Sequence, residues 1–397
     1  MLKHESTQRQ EFLDLLIKVR QVGREIIEPA ASTVDEEAVF PQQSIDALKE
    51  LQLLSAYVPV SLGGMGFNVL QIARICEVLG HYCGSTAMIY AMHQIQVACI
   101  VHHAQSSEYF VNYLKRLVEE QRLIASATTE IGVGGDLRSS VCAVEIADDQ
   151  FKLYKQAPVI SYGEAADDIV ITARRHIDAA KSDQVQVLTH RGDYELEPIS
   201  SWDSLGFRGT CSSGFNVTSS GQVDQILPTA FADILSQTMH PFAHITWGAL
   251  WSGIAGSAVN KARQFVRNQA KNNIDTPPIS SIRLGEVDSV LQVMRTNVSE
   301  IAREYFEMID DPELDSNAFS NFGFGIRVNN LKISSSELIV DIVGKSMLIC
   351  GISSYRNDSG FSLCRHIRDA YGAALMVNND RIMLHNATLL LMHKEEA

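Results

Sequence analysis

The sequence predicts an α+β fold in which an all-α N-terminal domain, a middle antiparallel β-barrel or sandwich and a C-terminal four-helix bundle follow one another. Three observations predict it. Apolar residues recur at helical spacing over roughly the first 120 residues, short β-favouring runs begin at about residue 123, and long helical segments return after Pro241. We therefore divide the 397 residues into domains 1–122, 123–235 and 236–397.

The N-terminal domain is predicted to hold five helices. Phe12, Leu15 and Val19 fall on one face of the first helix, and turn signals such as Gly63-Gly64 separate the helices that follow. The fourth helix is apolar nearly all round, so we expect it to be buried. The approximate spans of the five helices are 8–29, 42–52, 68–80, 84–103 and 106–119.

The other two domains are predicted from a change in residue pattern, first to short β-favouring runs and then back to helical periodicity. Six runs of β-favouring residues bounded by turns indicate the strands, and they read VCAVEI, FKLYKQAPVI, DIVITAR, VQVLTH, YELEPI and FNVTSSGQVDQIL. Long helical segments with short connections are typical of an antiparallel bundle. They span about 243–272, 282–309, 324–350, 361–375 and 379–393.

Composition excludes several classes of protein. A net charge of −14 and the lack of any Lys or Arg run argue against a nucleic-acid partner. No apolar stretch approaches the roughly 20 residues that span a bilayer, and the start of the chain resembles neither a signal nor a transit peptide. We expect a cytoplasmic protein. The seven scattered cysteines indicate neither disulfides nor a metal site.

The strongest local motif is glycine-rich and lies where the helical domain meets the first strand. It runs ATTEIGVGGD from Ala127 to Asp136. Its glycines allow a backbone to approach a planar ligand closely, and Thr128 and Thr129 offer hydroxyl groups. Alone, the motif is weak.

Three further segments stand in a fixed order around this motif. They are FPQQSIDALKELQLLSAYVPVSLGGMGF from Phe40, WDSLGFRGT from Trp202 and LCRHIRDA from Leu363. Together with the glycine-rich motif, which resembles LTEPGxGSD, they resemble four segments of the acyl-CoA dehydrogenase superfamily. Because the matches cover nearly the whole chain, the protein is identified as a member of that superfamily.

The resemblance implies the acyl-CoA dehydrogenase fold, an FAD cofactor and a homodimer or homotetramer. It implies a small-molecule or carrier-bound acyl substrate and an electron acceptor. VISYG from Val159 stands where the family places flavin-contacting residues, and three residues after Val377 replace the family's polar contacts to FAD. The implied cofactor-binding residues are Thr128, Thr129, Gly134, Gly135, Ile160, Ser161, Asn378 and Asn379.

The chain departs from the family at its catalytic base. Family members remove the α-proton of the substrate with a glutamate, and the two positions that carry it correspond here to Val377 and Thr246. Neither side chain accepts a proton. The nearest titratable candidates are His244, two residues before Thr246, and Asp380, three residues after Val377.

Three functions remain open at this stage. The first is dehydrogenation of an acyl thioester, bound to CoA or to a carrier protein, with an unusual base. The second is a flavin-dependent monooxygenase of the same superfamily that receives reduced flavin from a partner reductase. Those enzymes also lack the glutamate and the RxxFG segment, which is here replaced by residues 272–276. The third is a degenerate member that keeps FAD, or only the fold, for a binding role.

Overall fold

The structure is a computed structural model that describes residues 2–272 and 278–393. Six helices form the N-terminal domain, and a five-residue π-helical turn at Gly23–Ile27 joins the first two. The predicted first helix is therefore longer at its start and broken near its end. The helices are α1 (Leu2–Val22), α2 (Glu28–Glu36), α3 (Gln42–Glu50), α4 (Val69–Tyr82), α5 (Gly84–His103) and α6 (Glu108–Glu120).

Local chemistry explains where α4 begins and why α5 is central. Asn68 caps α4, because its side chain accepts from the Gln71 nitrogen while the Gln71 side chain accepts from the Asn68 nitrogen. Helix α5 is buried on nearly every face, as its composition predicts. Its polar side chains form hydrogen bonds with neighbouring segments rather than with solvent. For example, the two ring nitrogens of His93 pair with Leu54 O and Ile124 N.

Two sheets form the middle domain, and one pairing differs from the prediction. Strand β1 pairs with β4 in parallel, with Ile124 opposite Asp168, whereas the other strand pairs are antiparallel. The long crossover through β2 and β3 makes the parallel pairing possible. The sheet orders are β1-β4-β5 and β2-β3-β7-β6. The strands are β1 (Ile124–Ala127), β2 (Glu145–Ala147), β3 (Gln150–Ala157), β4 (Asp168–Arg174), β5 (Gln184–His190), β6 (Tyr194–Ser200) and β7 (Gly214–Gln222).

Long helices form the C-terminal domain and confirm the predicted fold class. A short helix, α7 (Phe231–Ile234), and a π-helical turn precede the long helices α8 (His240–Asn272), α9 (Ser280–Asp310) and α10 (Phe322–Cys350). A second short helix, α11 (Ile352–Tyr355), then leads to α12 (Cys364–Leu375) and α13 (Asn379–Met392).

Helix α8 also crosses α4 of the first domain at close range. A Cβ on Gly253 would lie 2.1 Å from Glu77 O, and one on Gly80 would lie 2.3 Å from Leu250 O. Glycine is therefore required on both helices. Among the described helices, none is long and apolar enough to cross a membrane.

Candidate active site

The glycine-rich segment follows β1 and leaves its backbone open. Gly132, Gly134 and Gly135 have φ angles of +95°, +61° and +79°, a conformation that side chains disfavour. No atom lies within 4 Å of the place where a Cβ on Gly134 would stand. Thr129 Oγ donates to Val159 O at 3.3 Å, so this segment lies beside the VISYG segment. The structure thus brings together the two predicted cofactor-binding segments of the middle domain.

Glu130 anchors the glycine-rich segment through buried hydrogen bonds to residues 140–142. Its buried carboxylate accepts from Ser140 Oγ and from the Val141 and Cys142 nitrogens, at 2.6 to 3.2 Å. The ammonium of Lys155 lies 3.7 Å away, and both side chains are almost fully buried. Because every group is paired, this cluster holds the segment in place rather than reacting.

Ser161 belongs to a chain of buried hydroxyl groups. Its Oγ lies 2.8 Å from Ser212 Oγ, which lies 2.8 Å from Thr210 Oγ. Thr210 donates to Phe207 O, which only accepts, so it must accept from Ser212, and Ser212 must accept from Ser161. The Ser161 hydroxyl therefore presents lone pairs to any further partner. Next to it, the backbone nitrogen of Ile160 donates to Ser213 O at 2.9 Å, just before β7 begins.

Helix α13 closes the site from the C-terminal domain. The guanidinium of Arg381 donates to Gly134 O at 2.6 Å and to Gly135 O at 2.5 Å. Asn378 caps the helix by accepting from the Asp380 nitrogen at 2.8 Å. The start of α13 is thereby held against the glycine-rich segment. The sequence did not single out Arg381, because its partners are backbone atoms roughly 250 positions away.

Lys332 is a second residue that sequence reasoning missed. Its side chain is fully buried in α10 and donates to Val377 O at 3.0 Å and to Asn379 Oδ1 at 2.6 Å. Burial lowers the pKa of this lysine to about 8. The Asn379 amide nitrogen donates to Ser336 Oγ at 3.0 Å. The side chain of Asn379 is therefore occupied within the fold, and only its backbone is left for a cofactor.

The structure places no proton acceptor at Val377 or Thr246, the two positions that the resemblance assigns to the family's glutamate. Val377 is 39% exposed and adopts a φ of +45°. Thr246 is fully buried, and its hydroxyl donates back to Phe242 O at 2.8 Å within α8. Removal of an α-proton from a substrate therefore needs a different group.

Two histidines at the start of α8 are neutral and have defined tautomers. The carbonyl of Val328 can only accept, so at 3.3 Å it receives the Nδ1 proton of His244 and leaves Nε2 of His244 unprotonated. Asn329 accepts from His240 Nε2 at 2.8 Å, because its own amide nitrogen donates to Asn386 Oδ1 at 2.7 Å. The two imidazole rings stack edge to face at 4.4 Å.

Burial sets the protonation state of this pair. It lowers the pKa of His240 to about 4 and lowers the pKa of His244 well below 6.5. His240 and Lys332 lower the pKa of His244 further. His244 is therefore an uncharged imidazole with a free Nε2 lone pair at neutral pH.

The second predicted base, Asp380, stands in a different environment. Its side chain is exposed in the first turn of α13, where a carboxylate favours the helix dipole. In the part of the chain that the structure describes, no hydrogen bond or ion pair joins His244 to Asp380. The structure does not bring the two candidates together.

The chemistry of these residues fits a flavin. A planar heterocycle needs an approachable backbone and a few polar groups at its edge. The open backbone at Gly134, the hydroxyl of Thr129 and the lone pairs of Ser161 provide them. Residues 273–277, which include most of the segment that replaces RxxFG, lie outside the described residues.

Comparisons with known proteins agree with this fold. A family model described as "Acyl-CoA dehydrogenase, N-terminal domain" matches residues 9–121. Cyclohex-1-ene-1-carbonyl-CoA dehydrogenase of Geobacter metallireducens is 25% identical over 93% of this chain and 94% of its own length. The short-chain-specific acyl-CoA dehydrogenase of Clostridium acetobutylicum is 21% identical over 92% and 93%.

Solved structures share the fold along almost the whole chain. Butyryl-CoA dehydrogenase of Megasphaera elsdenii aligns with a TM-score of 0.81 at 19% identity, covering 97% of this chain and 98% of its own. TdsC of Paenibacillus sp. A11-2 is a dibenzothiophene monooxygenase. Its FMN-bound structure aligns with a TM-score of 0.84 at 17% identity, covering 97% of this chain and 98% of its own. The chain belongs to the acyl-CoA dehydrogenase superfamily and is an FAD-dependent oxidoreductase of that type.

Proposed function

We propose that this enzyme oxidises an acyl thioester, carried on CoA or on a carrier protein, at its Cα–Cβ bond with His244 as the base. One observation carries the proposal. Val377 and Thr246 cannot accept a proton, whereas His244 lies on α8 two residues from Thr246 and keeps Nε2 unprotonated. Two relatives that align over most of the chain are named as a cyclohex-1-ene-1-carbonyl-CoA dehydrogenase and a short-chain-specific acyl-CoA dehydrogenase.

The chemistry divides between the cofactor and the chain. When bound, FAD supplies a hydride acceptor for the β-carbon of the substrate. His244 Nε2 takes the α-proton, and the Val328 carbonyl holds the ring in the tautomer that permits it. Because its pKa is low, His244 remains deprotonated even in acid, but it is a weak base, so the thioester must make the α-proton acidic.

We propose that the predicted cofactor-binding residues hold FAD where the domains meet. Gly134 presents an open backbone, Gly135 leaves room for the guanidinium of Arg381, and Arg381 fixes the carbonyl groups of both glycines. Thr129 and Ser161 offer polar groups from adjacent segments, with Thr128 and Ile160 beside them. From the other side, Asn378 caps α13 and Asn379 contributes its backbone.

Anaerobic reduction tests the proposal. The purified holoenzyme is mixed with acyl-CoA thioesters of graded length, and with their pantetheine analogues, while the absorbance of oxidised flavin is followed. We expect bleaching with at least one thioester. His244→Gln should slow bleaching by at least about 100-fold while flavin stays bound, because glutamine cannot accept the proton.

His385→Gln is the matched control. His385 lies on α13 near Arg138, at 3.5 Å, and outside the proposed base position. Its bleaching rate should stay within about threefold of the parent rate, since it has no part in general-base catalysis. Wild-type bleaching in the His244→Gln variant would overturn the role of the histidine, and a wild-type flavin that no thioester reduces would overturn the reaction.

A second function is favoured by the missing carboxylates. A monooxygenase needs no base for an α-proton, so side chains that accept no proton, such as Val377 and Thr246, are compatible with it. In that case the substrate, dioxygen and reduced flavin supplied by a reductase would yield a product with one added oxygen atom, water and oxidised flavin. The chain would then transfer one atom of labelled dioxygen to its product, whereas a dehydrogenase transfers none.

We also propose that two or four copies associate. Apolar side chains remain exposed along α13, with Leu384 at 72% and Leu391 at 90% exposure. Such residues in a row indicate an interface. Light scattering coupled to gel filtration measures the mass, and a 43.9 kDa particle would contradict the proposal.

A further inference from the structure

A polar cavity of about 170 Å³ opens between α2, α8 and α12. That volume is several times the roughly 30 Å³ that one water molecule occupies in the liquid. None of the residues that line it belongs to the candidate active site, so its function does not depend on the flavin chemistry. Asp35, Lys261, Arg365, His366 and Arg368 supply its polar wall.

Three polar atoms in this wall are buried without a partner in the described part of the chain. They are Asp35 Oδ1, Arg365 Nη1 and His366 Nδ1. Asp35 and His366 are only 6% and 5% exposed. An unsatisfied buried polar group lowers the stability of the fold, and native proteins keep few of them. Their meeting in one cavity points to a ligand that satisfies all three.

The tautomer of His366 is set by its other ring nitrogen. His366 Nε2 lies 3.1 Å from Ser257 Oγ. If the serine donates, only His366 Nδ1–H lacks a partner, whereas the reverse arrangement leaves both the serine proton and Nδ1 unpaired. The first arrangement is the lower in free energy. Nδ1 therefore carries a proton and requires an acceptor.

The charges in the wall favour an anion. Arg368 is paired with Asp35. Arg365 reaches a backbone carbonyl at 3.1 Å through Nη2, and Lys261 reaches Gly360 O at 3.4 Å, so neither cation has a carboxylate partner within the described residues. Their mutual repulsion adds to burial in lowering the pKa of Lys261. Glu36 lines the mouth with an exposed carboxylate and does not fill the interior.

We propose that this cavity binds hydrogen phosphate. Its unprotonated oxygens accept from Arg365 Nη1, His366 Nδ1 and Lys261 Nζ, while its P–OH group donates to Asp35 Oδ1. Sulfate carries the same charge as hydrogen phosphate but has no hydroxyl, so it leaves Asp35 Oδ1 unpaired and turns an unprotonated oxygen toward that carboxylate. The site therefore prefers phosphate to sulfate, for the same reason that a site built to pair a hydroxyl rejects its analogue without one.

Calorimetric titration of the holoenzyme with inorganic phosphate and with sulfate, at matched ionic strength, tests the proposal. We expect saturable phosphate binding, with sulfate at least about tenfold weaker. Lys261→Met should weaken phosphate binding about tenfold or more, because an uncompensated cation is lost. Lys345→Met is the matched control, since Lys345 is exposed and paired only with Asp341.

Asp35→Asn tests the hydroxyl contact separately. The asparagine amide can donate a hydrogen bond to a sulfate oxygen and can accept one from the hydroxyl of hydrogen phosphate. The affinities for phosphate and sulfate should therefore come to lie within about threefold of each other. Failure of the wild-type protein to bind phosphate overturns the proposal. So does a wild-type protein that binds phosphate and sulfate equally, or a Lys261→Met variant that binds phosphate as tightly as the wild type. A parallel titration with AMP assigns the source: tighter binding of AMP indicates a phosphate ester, and binding of phosphate alone indicates the free anion.

Discussion

The carboxylate of Asp369 accepts a hydrogen bond from the Phe207 backbone nitrogen at 2.6 Å. This contact joins α12 to the WDSLGFRGT turn of the middle domain. The fit is close, because a Cβ on Gly206 would lie 2.3 Å from Arg368 O. Arg208 of the same turn donates to Asp35 O at 2.7 Å. Two of the segments that identify the superfamily therefore hold the three domains together rather than react.

Stability should depend on the ionisation of Asp369. Burial raises its pKa from 3.8 to about 6. Since the folded pKa lies above that of the unfolded chain, the contribution to stability is complete below about pH 4 and is lost as pH rises through 6. Asp369→Asn keeps an acceptor and removes the charge. Relative to wild type, it should gain on the order of 3 kcal/mol between pH 4 and pH 8.

Urea denaturation at both pH values measures this difference. Asp358→Asn is the control, because Asp358 is an exposed aspartate paired with Arg356. A stability difference for Asp369→Asn that does not change with pH would show that the carboxyl group is ionised throughout.

Val377 stores backbone strain at the candidate site. A β-branched residue at φ +45° is unfavourable, and glycine is not. Val377→Gly should therefore raise the free energy of unfolding or leave it unchanged, with a gain of up to about 1 kcal/mol. Val159→Gly is a close control, because Val159 is 38% exposed against 39% for Val377 and has no positive φ. It should destabilise by about 0.5–1 kcal/mol. Equal losses in the two variants would contradict the strain.

The crossing of α4 and α8 depends on the lack of a side chain at Gly253. Gly253→Ala would place a methyl group 2.1 Å from Glu77 O, so it should lower the free energy of unfolding by about 3 kcal/mol. Gly344→Ala in α10 meets no atom within 4 Å and should instead stabilise by about 0.5–1 kcal/mol. Thermal unfolding of the two variants is the measurement, and a stable Gly253→Ala protein would show that the helices can separate at little cost.

The pH profile of thioester-dependent flavin reduction reports on His244. Because burial lowers its pKa well below 6.5, the imidazole stays deprotonated as the pH falls through that value. The reduction rate should therefore change by less than about twofold between pH 8 and pH 6. A fall of about fourfold or more across this interval would indicate a base with an ordinary histidine pKa near 6.5, and would remove His244 from that role.

Local patterns determined much of this protein. The helical periodicities, the buried α5 and the four ordered segments were all predictable, because each depends on residues close together in sequence. The assignment of Val377 and Thr246 to the positions of the family's glutamate also rests on the sequence alone, and it stays a prediction. The three-domain order was predictable too, and the structure and the related folds confirm it.

Tertiary structure decided the rest. The parallel pairing of β1 with β4, the burial of Lys332 beneath Val377 and the tautomer of His244 each join residues distant in the chain. A lysine or histidine in a helix has the same local pattern whether it faces solvent or a buried carbonyl. Only burial and the geometry of its partners fix its charge and its proton, and these arise when the domains pack.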